Sequence, residues 1–313
     1  MKAFEVKANG QVLDYRVSQN LDLDKVRGFF SKGYKVLKIW QQSRHVLGIL
    51  EKNENKLFLK LATTKGISAV TQIDYNWNKE FNNLVSRDAN FWVPQNIDSG
   101  FYEDGLFYMI TDYFNGDLLS KTPHPNTEIS NIKDYLNQIV EFSELIQNLN
   151  ISQLSDKDTK NYSDWFFHKT LSWYEGIPQN IIKEYQVDKL LEIVKTGYKN
   201  LDQKSRHGDF TPWHIIKLEN NKLDLIDGEH AMRNGVQYYD IAFLIERVFV
   251  VLQNISLAQN FYQLLKQRDY DLEKLKTVLA SRAIGGFLDC SLYFEKKPDF
   301  TFADKFKHWL INL

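Results

Sequence analysis

The sequence predicts an α+β chain: a small β-rich N-terminal part, then a larger and mainly helical C-terminal part. Three observations predict it. The first third carries short β-branched or apolar runs separated by polar breaks, the pattern of an antiparallel meander. Beyond Asn115 apolar residues recur at helical spacing over long stretches. No internal repeat and no low-complexity tract interrupts this order. The change of character near Asn115 divides the chain into residues 1–114 and 115–313.

In order, Asp22 to Phe30 reads as a short helix with Asp22 or Asp24 near its N-cap. Tyr34 to Trp40, His45 to Lys52 and Lys56 to Ala62 follow as three strands, broken by QQSR and NENK. Ser68 to Ser86 has helical spacing, and two strand-like runs lie near Phe91 to Pro94 and Leu106 to Tyr113. Asn115, Gly116 and Asp117 mark a break, and Ser120 to Asn126 reads as a loop with two prolines. Helical patterns then cover Ile129 to Leu149, Trp165 to Glu175 and Ile181 to Leu201. A strand–turn–strand signal spans Ile215 to Ile226, turning on Glu219, Asn220 and Asn221, and helices continue to the end.

Composition narrows the function. Hydrophobic residues make up 43% of the 313 residues, enough for a substantial core. The net charge of −1, without a Lys/Arg block, argues against a long nucleic-acid partner. Cys290 is the single cysteine, so no intrachain disulfide is expected. No apolar run has membrane-spanning length, and MKAFEVKANGQ lacks the apolar core of a signal peptide. A cytoplasmic protein away from membranes is the expectation.

Chemistry concentrates between Arg206 and Ala242, RHGDFTPWHIIKLENNKLDLIDGEHAMRNGVQYYDIA. Asp209 precedes the first strand of the hairpin and Asp227 follows the second, so the hairpin brings the two carboxylates towards one cleft. Phosphoryl transfer needs such a pair: a carboxylate to orient the attacking hydroxyl, and another to hold a metal on the phosphates. A lysine is needed on the donor side.

HGDFTPWH resembles the catalytic loop of aminoglycoside phosphotransferase and choline kinase-like enzymes. LDLIDGEHA resembles their metal-binding strand end, and Gly235, Tyr239, Asp240, Ile241 and Ala242 match the usual continuation. The resemblance runs from about Val36 to Ala242. It implies a two-lobed, protein-kinase-like fold, with residues 1–114 as the nucleotide-binding lobe and 115–313 carrying the catalytic loop and acceptor pocket. It further implies that Asp209 is the catalytic base, that Asp227 is the principal metal ligand, that His207 supports the loop and that Asp240 braces it. Lys60 in LFLKLA matches the phosphate-holding lysine, and Glu80 in WNKEFNNL matches its acidic partner. The backbone of Asp112, Tyr113 and Phe114 matches the adenine-binding hinge. The turn Gln41 to His45, with Ser43 at its tip and no glycine, would cover the phosphates.

His214 stands where the family has a metal-binding Asn. Imidazole suits manganese or other transition metals better than magnesium, which prefers oxygen. Either His214 binds a metal through nitrogen, or Asp227 acts as the main ligand, or catalysis is weakened. Glu229 and His230, just after Asp227, face either the acceptor pocket or ordinary packing. Trp165, Phe166, Phe167, Trp173 and Tyr174 read as core, or as a face for a cationic acceptor.

The implied function is transfer of the γ-phosphate of ATP or GTP, with Mg2+ or Mn2+, to a hydroxyl of a small molecule. Two alternatives stand beside it. One is a pseudokinase, a nucleotide-binding or scaffolding protein on the same fold. The other is a metal-dependent hydrolase built on His207, Asp209, His214, Asp227 and His230.

Overall fold

A computed structural model describes residues 4–8, 10–86, 89–125, 132–152, 154, 161–219, 221–292 and 298–313. The chain begins with an antiparallel hairpin, β1 (Glu5–Ala8) and β2 (Gln11–Asp14). Helix α1 (Leu23–Phe30) starts where the sequence places it, because the Asp22 carboxylate accepts from the backbone N–H groups of Asp24 and Lys25. Next come β3 (Lys35–Gln42), β4 (His45–Lys52) and β5 (Asn55–Ala62), the expected meander. Helix α2 (Lys65–Leu84) follows, capped by Thr64.

After β6 (Phe91–Trp92) the chain forms β7 (Asn96–Tyr102), β8 (Leu106–Asp112) and β9 (Gly116–Leu118). The main sheet has the order β3-β4-β5-β8-β7, antiparallel throughout. Its central strand β5 therefore sits between β4 and β8, with Lys60 opposite Leu47 and Met109. Strand β7 is an addition to the expected elements.

The helical part contains α3 (Leu136–Asn148), α4 (Tyr162–Gly176), α5 (Gln179–Tyr185) and α6 (Asp188–Gly197). The start of the helix expected from Ile129, residues 129–131, lies outside the described residues, as does Asn220 of the hairpin turn. The single helix expected over Ile181 to Leu201 is two, because Gln186 takes a left-handed conformation, φ 51°, and ends α5. Strand β10 (Gln203–Arg206) leads into the loop that carries Asp209. The hairpin β11 (Ile215–Leu218) and β12 (Leu223–Leu225) follows, then β13 (Met232–Val236). A second sheet has the order β6-β12-β11-β9, and β10 pairs with β13. Helices α7 (Tyr239–Glu246), α8 (Ile255–Gln267), α9 (Leu272–Leu292) and α10 (Thr301–Ile311) complete the chain, with a π-helical turn at Arg247–Val251 after α7.

Two apolar clusters result. The smaller lies within the main sheet and against α1, around Val26, Phe30, Val46, Leu50, Leu59 and Ile110. The larger belongs to the helices but includes Val70, Ile73, Trp77 and Phe81 of α2. Helix α2 thus lies in sequence between strands of the main sheet, yet buries its apolar face in the helical core. Among the described residues, no helix is long and apolar enough to cross a membrane.

Candidate functional site

Lys60 points from β5 into the junction between the clusters. Its ammonium lies 2.8 Å from Asp74 Oδ2, 2.5 Å from Asp227 Oδ1 and 2.8 Å from Glu229 Oε1. Burial opposes the charge on Lys60, but Asp227, Asp74 and Glu229 outweigh it and hold the pKa well above the ordinary value. Burial would likewise raise Asp227, yet Lys60 chiefly turns the balance and lowers it. Glu229 is held low by Lys60, His45 and Arg44 against the same burial.

The acidic partner of Lys60 on α2 is therefore Asp74, and the expectation of Glu80 is corrected. Glu80 Oε2 accepts from the Ser152 backbone N–H at 3.0 Å and its hydroxyl at 2.9 Å. Asp74 also accepts the Gly228 N–H at 2.8 Å. One buried carboxylate thus ties together β5, α2 and the turn after β12.

That turn has a specific shape. Asp227 is left-handed at φ 70°, a conformation costly for a residue with a Cβ. A Cβ on Gly228 would lie 2.4 Å from Trp77 Cδ1, so only glycine fits between the turn and α2. The chain then brings Glu229 to the start of β4. There it meets Arg44 Nη2 at 2.8 Å and His45 Nε2 at 3.1 Å. Glu229 is 1% exposed and lies on the Lys60 side, the packed alternative of the two readings open for it. The His230 ring lies 5.5 Å from that of Tyr15, which belongs to the N-terminal segment.

The catalytic-loop candidate is braced from below. The Asp240 carboxylate accepts the His207 N–H and the Gly208 N–H, each at 2.8 Å. Burial still pushes its carboxyl up to about 6. Gly208 has φ 86°, and a Cβ there would lie 2.3 Å from the His230 carbonyl oxygen, so this tight turn requires glycine. His207 is fully buried beside Trp77, with ring centroids 5.5 Å apart. Burial, then His214, push its pKa down to about 3, so the ring is neutral. Its Nδ1 accepts the Asp209 N–H at 3.4 Å, which places the proton on Nε2.

Asp209, His214 and Asp227 each offer one donor atom within 4.8 Å of the others. His214 Nδ1 lies 3.0 Å from the Asp209 carbonyl oxygen, and Nε2 lies 3.5 Å from Asp227 Oδ2. Burial disfavours a charge on His214, but Asp209 and Asp227 outweigh it and raise its pKa. Once Nε2 gives up its proton, with Nδ1 still donating to that carbonyl, the Nε2 lone pair is turned towards Asp227. Two carboxylates and an imidazole fit a divalent cation that accepts nitrogen as well as oxygen. Burial lifts Asp209 above the ordinary carboxylate range, with His214 pulling the other way.

At the expected hinge, the Asp112 N–H donates to the Gln95 carbonyl at 3.1 Å and its side chain accepts the Gln95 N–H at 2.7 Å. Both groups thus serve the edge of the sheet. Tyr113 is the most exposed of the three, and Phe114 lies 6.0 Å ring to ring from Trp92. Ser43, at φ 51°, sits in the exposed turn between β3 and β4. Its neighbour Arg44, which sequence reasoning passed over, is the residue of that turn that reaches the site.

No protein-family model and no curated protein matches this sequence. Solved structures do match in fold. The chain is similar to aminoglycoside phosphotransferase APH(4)-Ia at 13% identity and a TM-score of 0.70, covering 93% of this chain and 99% of that one. A complex of a thermostable mutant of that enzyme with ADP and hygromycin B gives 12% identity and 0.67, over 91% and 97%. Choline kinase LicA from Streptococcus pneumoniae gives 13% and 0.54, over 93% and 97%. These likenesses establish the two-lobed, protein-kinase-like architecture: an antiparallel N-terminal sheet and a helical C-terminal region.

Proposed function

We propose that this protein transfers the γ-phosphate of a nucleoside triphosphate to a hydroxyl group of a small molecule. The observation that carries the reading is the convergence of Lys60, paired with Asp74, on the same turn that presents Asp227 to Asp209 and His214. Lys60 would hold donor phosphates, and Asp227 with His214 would hold Mg2+ or Mn2+, which neutralises phosphate oxygens during transfer. Asp209, its pKa raised by burial, would take the proton of the attacking hydroxyl. His207 and Asp240 would hold the loop, and the backbone of Tyr113 and Phe114 would border the base. The similar structures include complexes described with ADP and with GDP, so ATP and GTP are both candidate donors.

The experiment is thermal unfolding with ATP or GTP, each with magnesium, manganese or no divalent metal, on wild type and Asp209→Asn. At a hundredfold excess over Kd, a ligand specific for the folded state adds about 2.7 kcal/mol, a rise of a few degrees for this size. The expected result is a metal-enhanced rise in both proteins, with phosphate transfer abolished only in Asp209→Asn. No rise with either nucleotide would sink the proposal.

A second reading, nucleotide binding without transfer, draws support from His214, whose Nδ1 is engaged with the Asp209 carbonyl. Wild-type turnover with any acceptor eliminates it. The hydrolase reading loses support, because His207 and His230 are outside the metal-ligand group found among the described residues.

A further inference from the structure

The aromatic face of α4 is occupied by the protein's own cations. Arg206, at the end of β10, lies 3.8 Å over the Tyr239 ring and 5.2 Å from that of Trp165. Arg282, from α9, lies 4.8 Å over Trp173 and donates from Nη1 to the Tyr239 hydroxyl at 3.1 Å. Both arginines are buried, 6% and 4% exposed, and the Nε of each has no hydrogen-bond partner among the described residues. Neither makes a close ion pair among those residues, although Arg206 draws down the Asp240 carboxyl and Arg282 those of Glu246 and Asp209. Arg247, by contrast, pairs with Asp289 at 2.5 Å and Glu246 at 3.4 Å. Cation–π contacts compensate only part of the cost of burying a guanidinium.

A third cation adjoins them. Burial, then Arg206 and Arg282, bring Lys169 down to about 8, with the Glu5 carboxylate pulling the other way, so the two arginines act on Lys169 as neighbouring positive charges. The place is beside the chemistry. Arg206 immediately precedes His207, and Tyr239 immediately precedes Asp240, which braces the loop. Arg247 and Arg282 are both close enough to Asp209 to draw its pKa down.

We propose that Arg206 and Arg282, with Lys169 at their edge, form a subsite for an anionic group, so that the acceptor is a hydroxyl-bearing carboxylate or phosphate ester. A polycationic acceptor would meet like charge here and be repelled. The word acceptor rests on the phosphotransfer reading; the anion subsite itself does not. In the step implied, the acceptor hydroxyl oxygen bonds to the γ-phosphorus. The bond from that phosphorus to the bridging oxygen breaks, its electron pair leaving with the nucleoside diphosphate. The hydroxyl proton passes to Asp209.

The test uses the full chain saturated with AMP-PNP and magnesium, then titrated calorimetrically with glycerol, glycerate, glycerol 3-phosphate and hygromycin B. Glycerate or glycerol 3-phosphate is expected to bind at least tenfold more tightly than glycerol, and the better of the two identifies a carboxylate or a phosphate group. Arg282→Gln is expected to lose that preference and Arg282→Lys to keep most of it. Lys169→Met, on the half-buried neighbour, is expected to weaken it and serves if Arg282→Gln does not fold. Equal binding of glycerol and the anions, absence of anion binding, an unchanged preference in Arg282→Gln, or tightest binding of hygromycin B would each overturn the proposal. Anion binding dependent on Arg282, without nucleotide binding, would uphold the subsite and count against phosphotransfer alone.

Discussion

Six residues along a helix rotate a side chain by about 240° and carry it about 9 Å along the axis. That step separates Asp74, on Lys60, from Glu80, on Ser152. Replacing Asp74 by Asn is expected to weaken nucleotide binding at least tenfold and to destabilise the fold by roughly 3 kcal/mol, because a buried ion network loses a partner. Glu80→Ala is expected to leave nucleotide affinity within about twofold; denaturant unfolding and nucleotide titration of both variants check the pair. The sequence made Lys60, Asp209, His214 and Asp227 legible, since each lies in a linear motif. It left α2 ambiguous, because Asp74 and Glu80 are both acidic and a motif does not fix helix phase. Arg206 and Arg282 were illegible for another reason. An arginine reads as surface, and only the fold places both against Tyr239. Lys169 offers a pH signature of that cluster. Unfolded, it holds its proton to about 10.4; folded, it releases it near 8. Between these values the unfolded chain binds more protons, so stability is expected to rise with pH through this window. Lys169→Met should flatten that rise in melting curves from pH 7 to 10, and an unchanged slope would contradict the assignment.

Among the elements, the turn between β12 and β13 carries the most constraint. Gly228→Ala would drive a methyl into the fully buried Trp77 ring. The expected cost is about 1–3 kcal/mol, with weaker metal-dependent nucleotide binding because Asp227 and Glu229 flank the displaced residue. Melting with and without nucleotide and manganese tests this; a variant unchanged in both would mean that the turn relaxes freely. The long strands were legible because β-branched and apolar residues dominate them. Strand β7, NIDSGFY, was not, since Asp, Ser and Gly interrupt its alternation, and it is recruited as the edge partner of β8. The polar hairpin β1–β2 and the short β10, QKSR, escaped for the same reason. The break at Gln186 was hidden because Ile182 before it and Leu190 and Val194 after it bury towards the same core, so the apolar rhythm continues while the backbone does not.

Across the whole molecule, Lys60 is the point where the sheet and its apolar cluster meet the helical core. It is carried by the sheet, whose own apolar cluster is separate, while Asp74, Asp227 and Glu229 are carried by elements of the helical core. If the sheet opens locally, the lysine leaves its three carboxylates and the phosphate-binding arrangement ceases to exist, although every helix is still folded. A molecule bound across Lys60 and Asp227 is then a reversible cross-link between the sheet and the helical core. Its binding free energy adds to the energy required to part them, and the protection it gives should fall first on the strands of the sheet, the side that would otherwise detach.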